Sequence, residues 1–267
     1  MENKQLEGIP EAMLKQFYAR VNESKKATKF IDCPKSKEVV ESLGEEALVK
    51  YGNSVMGRGA IARSILLDKM VKEYIAKNPN ATIVNIGCGA DTRFYRVDNG
   101  KIRWYNMDLP ATIEARKCLM EEGDRVFYIP KGVADESWAA DVEATGPVLV
   151  IAETLSMYLT KADVQKIFTA IRKRFADAQV FMEVTASYVV KNATEGSGEN
   201  NRPKYSFGVK NGKELQKFNA GFCWVKDVSL LVGLRKMYPS YYIMQLLPTM
   251  RRMSNKIVVL KRVKDFT

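Results

Sequence analysis

The most constraining stretch of the chain is Ala81-Thr82-Ile83-Val84-Asn85-Ile86-Gly87-Cys88-Gly89, a short apolar run stopped by two closely spaced glycines. Such a run reads as a strand buried on both faces. Four further runs repeat the theme: Ile102 to Met107, Val126 to Ile129, Pro147 to Ala152 and Gln179 to Val184. A helix is expected from Pro110 to about Glu121, and an amphipathic one from Lys161 to Ala176. Strands alternating with helices at this spacing imply crossover units and a parallel sheet. Gly221 to Val225 and Lys256 to Arg262 add two more strands. The expected fold class is therefore α/β, with a doubly wound, seven-stranded, mostly parallel sheet.

Residues 1–80 read as an N-terminal helical cap within the same domain. Glu11 to Arg20, Lys37 to Tyr51 and Ala60 to Lys77 carry helical spacing, and Asn78-Pro79-Asn80 ends the last of them. Residues 81–267 then form the core. Within it, residues 192–212 are polar and rich in Gly and Asn, too long for a tight turn, which places a lid-like insert at about 190–220. No composition break divides the chain into two independent domains.

The 267 residues include no histidine. That excludes a Ser-His-Asp or Cys-His nucleophile, a His-ligated metal and a histidine general base. Cys33, Cys88, Cys118 and Cys223 lie far apart with no CxxC pair. This argues against a disulfide scaffold or a zinc site, so no metal is expected, and it fits a cytoplasmic location. No apolar run approaches the ~18 residues that span a bilayer, and the N-terminus lacks the apolar core of a secretory signal; no membrane partner is expected. The formal charge of +11 is concentrated in residues 200–267, which hold 14 basic and 3 acidic side chains.

Gly87-Cys88-Gly89 sits where an open α/β sheet binds ligands, at the carboxyl end of a strand. Glycine permits a tight turn and a close approach of ligand to backbone. Asp108, about 20 residues on at the end of the next strand, can grip both hydroxyls of a ribose; it also suits a helix N-cap ahead of Pro110. These features fit a nicotinamide dinucleotide or a methyl donor. A dinucleotide fingerprint wants a third glycine where Thr92 stands, and Asp91 would oppose a pyrophosphate. Asp91 suits instead a ligand with a cationic group, such as the ammonium of S-adenosylmethionine.

Gly87-Cys88-Gly89-Ala90-Asp91-Thr92-Arg93, then Trp104-Tyr105-Asn106-Met107-Asp108-Leu109-Pro110, then the run from Leu149 to Thr160 with Glu153 and Tyr158, resemble the leucine carboxyl methyltransferase family in order and spacing. Arg58-Gly59-Ala60-Ile61-Ala62-Arg63 resembles that family's RGxxAR helix. The resemblance covers roughly residues 55–165. It implies a Rossmann-like class I methyltransferase using S-adenosyl-L-methionine and releasing S-adenosyl-L-homocysteine. It further implies that Arg63 pairs with the methionine carboxylate, Gly87 offers backbone to that moiety, and Glu153 faces the ammonium. Asp108 would hold the ribose, and Lys26 lies near a basic residue that reaches the cofactor carboxylate in the family. One departure stands out. Where the family often has an acid for the adenine amino group, this chain has Gly132; Val133 can still offer backbone groups, and Asp135 is a substitute.

Methyl transfer from a sulfonium is an in-line displacement in which the enzyme mainly aligns the reactants. A carboxylate acceptor needs no base, whereas an ordinary alcohol does. The missing histidine therefore points to O-methylation of a carboxylate or an acidic hydroxyl on a small, anionic molecule. Glu153, Glu183 and Tyr158 are the candidate catalytic groups. Arg202, Lys204, Tyr205 and Phe207, with Tyr158, are candidate walls of the acceptor pocket. Two other functions compete: an RNA methyltransferase using the basic C-terminal quarter, and a non-catalytic cofactor-binding protein. Scattered cations and the absence of a visible RNA-binding module argue against nucleic acid.

Overall fold

The computed structural model of the protein describes residues 11–43, 55–195 and 205–263. Seven strands build one sheet: β1 Thr82–Ile86, β2 Arg103–Asp108, β3 Val126–Pro130, β4 Val148–Ala152, β5 Ala178–Val184, β6 Phe222–Ser229 and β7 Lys256–Arg262. Their order across the sheet is β3-β2-β1-β4-β5-β7-β6. The first five run parallel, β7 is antiparallel to β5, and β6 is antiparallel to β7. The expected doubly wound, mostly parallel sheet is therefore the observed one. The strand order reverses at β1, so the crevice of the sheet opens between β1 and β4.

The five parallel strands are largely apolar because helices cover both faces. On one face, Val84, Ile86, Met107 and Val150 pack with Trp138, Val164, Ile167, Phe168 and Ile171. The alternate residues Ile83, Trp104, Leu149, Ile151 and Phe181 turn to the other face, against Leu66, Leu67, Met70, Val71 and Tyr74. Those five belong to α3 (Val55–Lys77), which follows α1 (Glu11–Ser24) and α2 (Pro34–Leu43). A short α4 (Phe94–Val97) follows the glycine loop, α5 (Pro110–Lys117) leads from β2 to β3, and α6 (Lys161–Arg174) from β4 to β5. A reciprocal capping box between Thr160 and Asp163 sets the start of α6.

Strand boundaries lie close to those the apolar runs predict, except that β6 extends to Ser229 through an irregularity between Trp224 and Lys226. The helix after Pro110 stops at Lys117, short of Glu121. The remainder of the expected Lys37 to Tyr51 helix lies outside the described residues beyond Leu43. Of the expected lid-like insert at about 190–220, residues 196–204 lie outside the described residues; α7 (Ser187–Glu195) and α8 (Gly212–Lys217) flank them, and the Ser206 and Val209 N–H groups donate to the Met157 and Thr185 backbone carbonyls. The β6–β7 connection holds three further short helices, α9 (Leu231–Met237), α10 (Tyr241–Leu246) and α11 (Pro248–Met253). Pro248 opens α11 as its first residue. No described helix is long and apolar enough to cross a membrane.

The N-terminal helices are locked onto the core through a close approach of α9 to α3. A Cβ at Gly233 would stand 2.2 Å from the Ala62 carbonyl oxygen, whereas one at Gly59 on the same α3 helix would meet nothing within 4 Å. Gly233→Ala should therefore lower stability by about 1–3 kcal/mol through forced separation of the helices. Gly59→Ala should leave it unchanged or raise it by about 0.5–1 kcal/mol. Chemical denaturation of the two variants side by side checks this.

Candidate active site

The registers bring the predicted residues together. Ile86 lies opposite Met107 on β2 and Ala152 on β4. The next residues in each strand, Gly87, Asp108 and Glu153, therefore emerge at one level beside the crevice. A cavity of about 190 Å³ opens there, walled by Gly87, Gly89, Asp91, Asp108, Glu153 and Tyr158, together with Gln16, Arg20, Asn85, Thr112 and Thr154. Arg63, Lys26 and Val133 lie outside that wall.

The glycine loop folds as its composition requires. Gly87 and Gly89 have φ of +62° and +48°, a region that side chains rarely occupy. A Cβ on Gly87 would also stand 2.9 Å from the Leu155 side chain. Asp108 accepts the Gly89 N–H at 2.9 Å through one oxygen and the Leu109 N–H at 2.8 Å through the other. Two buried arginines shape the loop from outside. Arg116 donates to the carbonyls of Gly89 (2.8 Å) and Asp91 (2.7 Å), and Arg20 to that of Ala90 (2.9 Å).

Below the loop lies a buried ionic network centred on Arg93. Its three nitrogens reach Asp68 (2.8 Å), Asp91 (2.6 Å) and Glu153 (2.7 Å). Arg96 shares Asp68 at 2.6 Å. Arg63 sits 2.7 Å from Glu183 and 3.8 Å from Glu153. Burial alone would raise the Asp91 pKa, but Arg93, Arg96, Arg20 and Arg116 outweigh it and hold the carboxyl at about 2. Asp91 thus gives its oxygens to Arg93 and Asn85. Glu153 is different: Oε2 is held by Arg93, while the buried Oε1 has no hydrogen-bond partner.

The other candidates separate clearly. The Glu183 side chain is wholly buried, with its oxygens committed to Arg63, Thr154 and Asn255, which removes it as a base toward a ligand in the cavity. Tyr158 is 44% exposed at the rim, its ring 5.8 Å from that of Tyr205. Partial burial, then Tyr205 and Glu183, push its phenol above the ordinary pKa. Phe207 does not line an acceptor pocket; it is buried in the core near Phe218. Arg202 and Lys204 lie outside the described residues. Lys26 pairs with Glu23 at 2.6 Å. Asp135 caps the 3-10 turn Glu136–Asp141 by accepting the Ser137 N–H. Val133 is packed against the core beside the β4 face.

Arg20, Asn85 and Arg116 are site residues that the motif search does not find. Two of them leave a faint trace in the sequence. Asn85 is a polar residue inside an otherwise apolar strand, and Arg20 falls among Phe17, Tyr18 and Val21 on the buried side of α1.

The donor set fits a cofactor that carries a ribose, an ammonium and a carboxylate. Asp108 supplies spare acceptor capacity at the rim, Glu153 Oε1 an unmatched buried carboxylate oxygen, and Arg20 a buried guanidinium whose Nε lacks a partner. Comparison with known proteins agrees. A tetracenomycin polyketide synthesis O-methyltransferase (TcmP) from Streptomyces glaucescens is 23% identical over 237 residues, covering 86% of each chain. An S-adenosyl-L-methionine-dependent methyltransferase (dpfgK) from Gibberella zeae is 26% identical, covering 67% of this chain and 65% of its own. Among solved structures, a methyltransferase from Thermobifida fusca superposes with a TM-score of 0.58 at 13% identity, covering 92% of this chain and 94% of its own. The plantazolicin methyltransferase BamL gives 0.51 at 14% identity, over 95% and 97%. Residues 13–172, more than half of the chain and including the glycine loop, Asp108, Glu153 and Tyr158, match the model of the leucine carboxyl methyltransferase family. The protein belongs to that family and is an S-adenosylmethionine-dependent methyltransferase.

Proposed function

We propose that the protein methylates an oxygen of a small anionic acceptor, a carboxylate or an acidic hydroxyl. The observation that carries this is Glu153 Oε1, a buried carboxylate oxygen without a hydrogen-bond partner among the described residues, with Arg63 Nε 3.8 Å away, on a residue of the cavity wall. Bound S-adenosylmethionine supplies an activated methyl group on a sulfonium. Glu153 Oε1 receives the ammonium, and Arg93, by holding Oε2 at 2.7 Å, fixes the carboxylate's orientation. Asp108 takes the ribose hydroxyls. Gly87 and Gly89 let the ligand lie against backbone.

For the methionine carboxylate, the geometry favours Arg20 over Arg63. Arg20 is buried and lines the cavity, whereas Arg63 lies off the cavity wall and ion-pairs with Glu183. Val133 remains the candidate backbone partner for adenine.

The acceptor half of the proposal follows from proton chemistry. Asp91 and one oxygen of Glu153 are held by Arg93, and the Tyr158 phenol is pushed up in pKa, so it stays protonated at neutral pH. An acceptor already ionised needs no proton removed. The aromatic pair Tyr158 and Tyr205 at the rim supplies a wall for an apolar or aromatic body. The relative named for tetracenomycin polyketide synthesis supports a small-molecule acceptor.

Three outcomes test this. S-adenosylhomocysteine at about 100 times its Kd should stabilise the wild-type protein by about 2.7 kcal/mol. Glu153→Gln, Asp108→Ala and Arg20→Met should each weaken that binding at least about tenfold, the equivalent of one charge-assisted hydrogen bond; titration calorimetry reads it directly. In a donor-labelled assay with small aromatic acids, label released by mild base marks a carboxyl ester, and label that resists it marks an aryl ether; transfer to RNA alone would overturn the proposal. The depressed Asp91 pKa also has a stability signature. Its ionised form is favoured by folding, so that contribution is present above the unfolded pKa of 3.8 and disappears as pH falls toward 2. Stability measured from pH 5 down to 2 should fall less steeply in Asp91→Asn than in the wild type.

A further inference from the structure

Glu183 lies one residue before the end of β5, at the same end of the sheet as the cavity but hidden behind it. Its Oε2 stands 2.7 Å from Arg63 Nε, accepts the Thr154 backbone N–H at 2.9 Å and accepts the Thr154 hydroxyl at 3.3 Å. Its Oε1 accepts from Asn255 Nδ2 at 3.3 Å. One buried carboxylate thus ties together α3, the turn after β4 and the entry to β7.

Thr154 is strained. Its φ of +54° makes it the one non-glycine residue with positive φ among the described residues. For a β-branched side chain that region is a genuine outlier, and it persists only where surrounding contacts over-determine it. Here contacts of that kind come from Glu183, which holds the backbone N–H and the hydroxyl of Thr154. The strained residue also sits at a point of leverage. It follows Glu153 directly, lines the cavity, and bends the chain from β4 into the 3-10 turn Ser156–Tyr158. The next side chain, Leu155, lies where a Gly87 Cβ would stand. The direction in which Glu153 and Tyr158 point, and the closure of the turn on the glycine loop, follow from the conformation of Thr154.

We propose that Glu183 is a positioning residue: it holds Thr154 in the left-handed conformation and so fixes the Glu153 carboxylate for cofactor binding. The identity of the cofactor moiety at Glu153 rests on the function proposed above; the strap itself does not.

Glycine adopts positive φ without strain, so Thr154→Gly should make the strap dispensable. The test compares wild type, Glu183→Asp, Glu183→Gln, Thr154→Gly and the Thr154→Gly combinations. S-adenosylhomocysteine affinity is read by calorimetry, and backbone hydrogen exchange is read for the segment 150–158. Glu183→Asp keeps the negative charge in the interior but draws the carboxylate back by one methylene from Thr154, and covers the case in which the Gln variant does not fold. Either single Glu183 variant should bind about tenfold more weakly and exchange faster at the Thr154 amide. Whatever affinity Thr154→Gly alone shows, each double variant should stay within about threefold of it. Double variants weaker than Thr154→Gly by the margin that separates the Glu183 singles from wild type would overturn the proposal, as would Glu183 variants with wild-type affinity and exchange. If the wild type itself fails to bind S-adenosylhomocysteine, the cofactor assignment fails, and the exchange series still decides whether Glu183 holds Thr154.

Discussion

The Arg93 guanidinium gathers the rest of the site around it. It is 1% exposed, and its three nitrogens bind carboxylates from three different segments: Asp68 on α3, Asp91 in the glycine loop and Glu153 after β4. Burying such charges is costly unless each finds its partners. The planar fork of arginine meets that demand in a way a lysine point charge would not. The consequence is that cap, loop and sheet crevice cannot move independently. Any shift of one carboxylate leaves another buried charge unmatched.

This network also divides labour among acids that look alike in sequence. Asp91, Asp108, Glu153 and Glu183 all follow or end strands near the crevice. Asp91 is spent on Arg93 and Asn85 and serves the loop. Glu183 is spent on Arg63, Thr154 and Asn255 and serves the turn after β4. Glu153 retains one oxygen unmatched, and Asp108 stays at the rim with capacity to spare. The histidine-free composition becomes intelligible in this setting. A site that works by holding charges still has no use for a group that titrates near neutrality.

Much of the architecture was legible because parallel strands buried on both faces must be largely apolar. Ile83 to Ile86, Val148 to Ala152 and Ala178 to Val184 announce themselves, and glycine marks the end of the first. The second half of the chain was harder. Residues 187–255 carry short helices with mixed composition, and α9 to α11 gave no sustained period because each is only six or seven residues long. Tyr205 and Phe207 illustrate the limit. Two aromatic residues two apart in a polar stretch look equivalent, yet Tyr205 meets Tyr158 at the rim while Phe207 is buried in the core.

The sequence by itself determined the fold class, the glycine loop, and Asp108 and Glu153 as strand-end acids, because periodicity, glycine placement and motif spacing are local properties. It also determined the family, since the motifs are contiguous and ordered. Only the tertiary structure decided which charges pair. Arg63 lies against Glu183, Arg20 enters the cavity from a helix more than 60 residues before the glycine loop, and Thr154 is held in a conformation its side chain disfavours. Ion pairing and backbone strain depend on which groups meet in a dry interior, and no local pattern encodes that meeting.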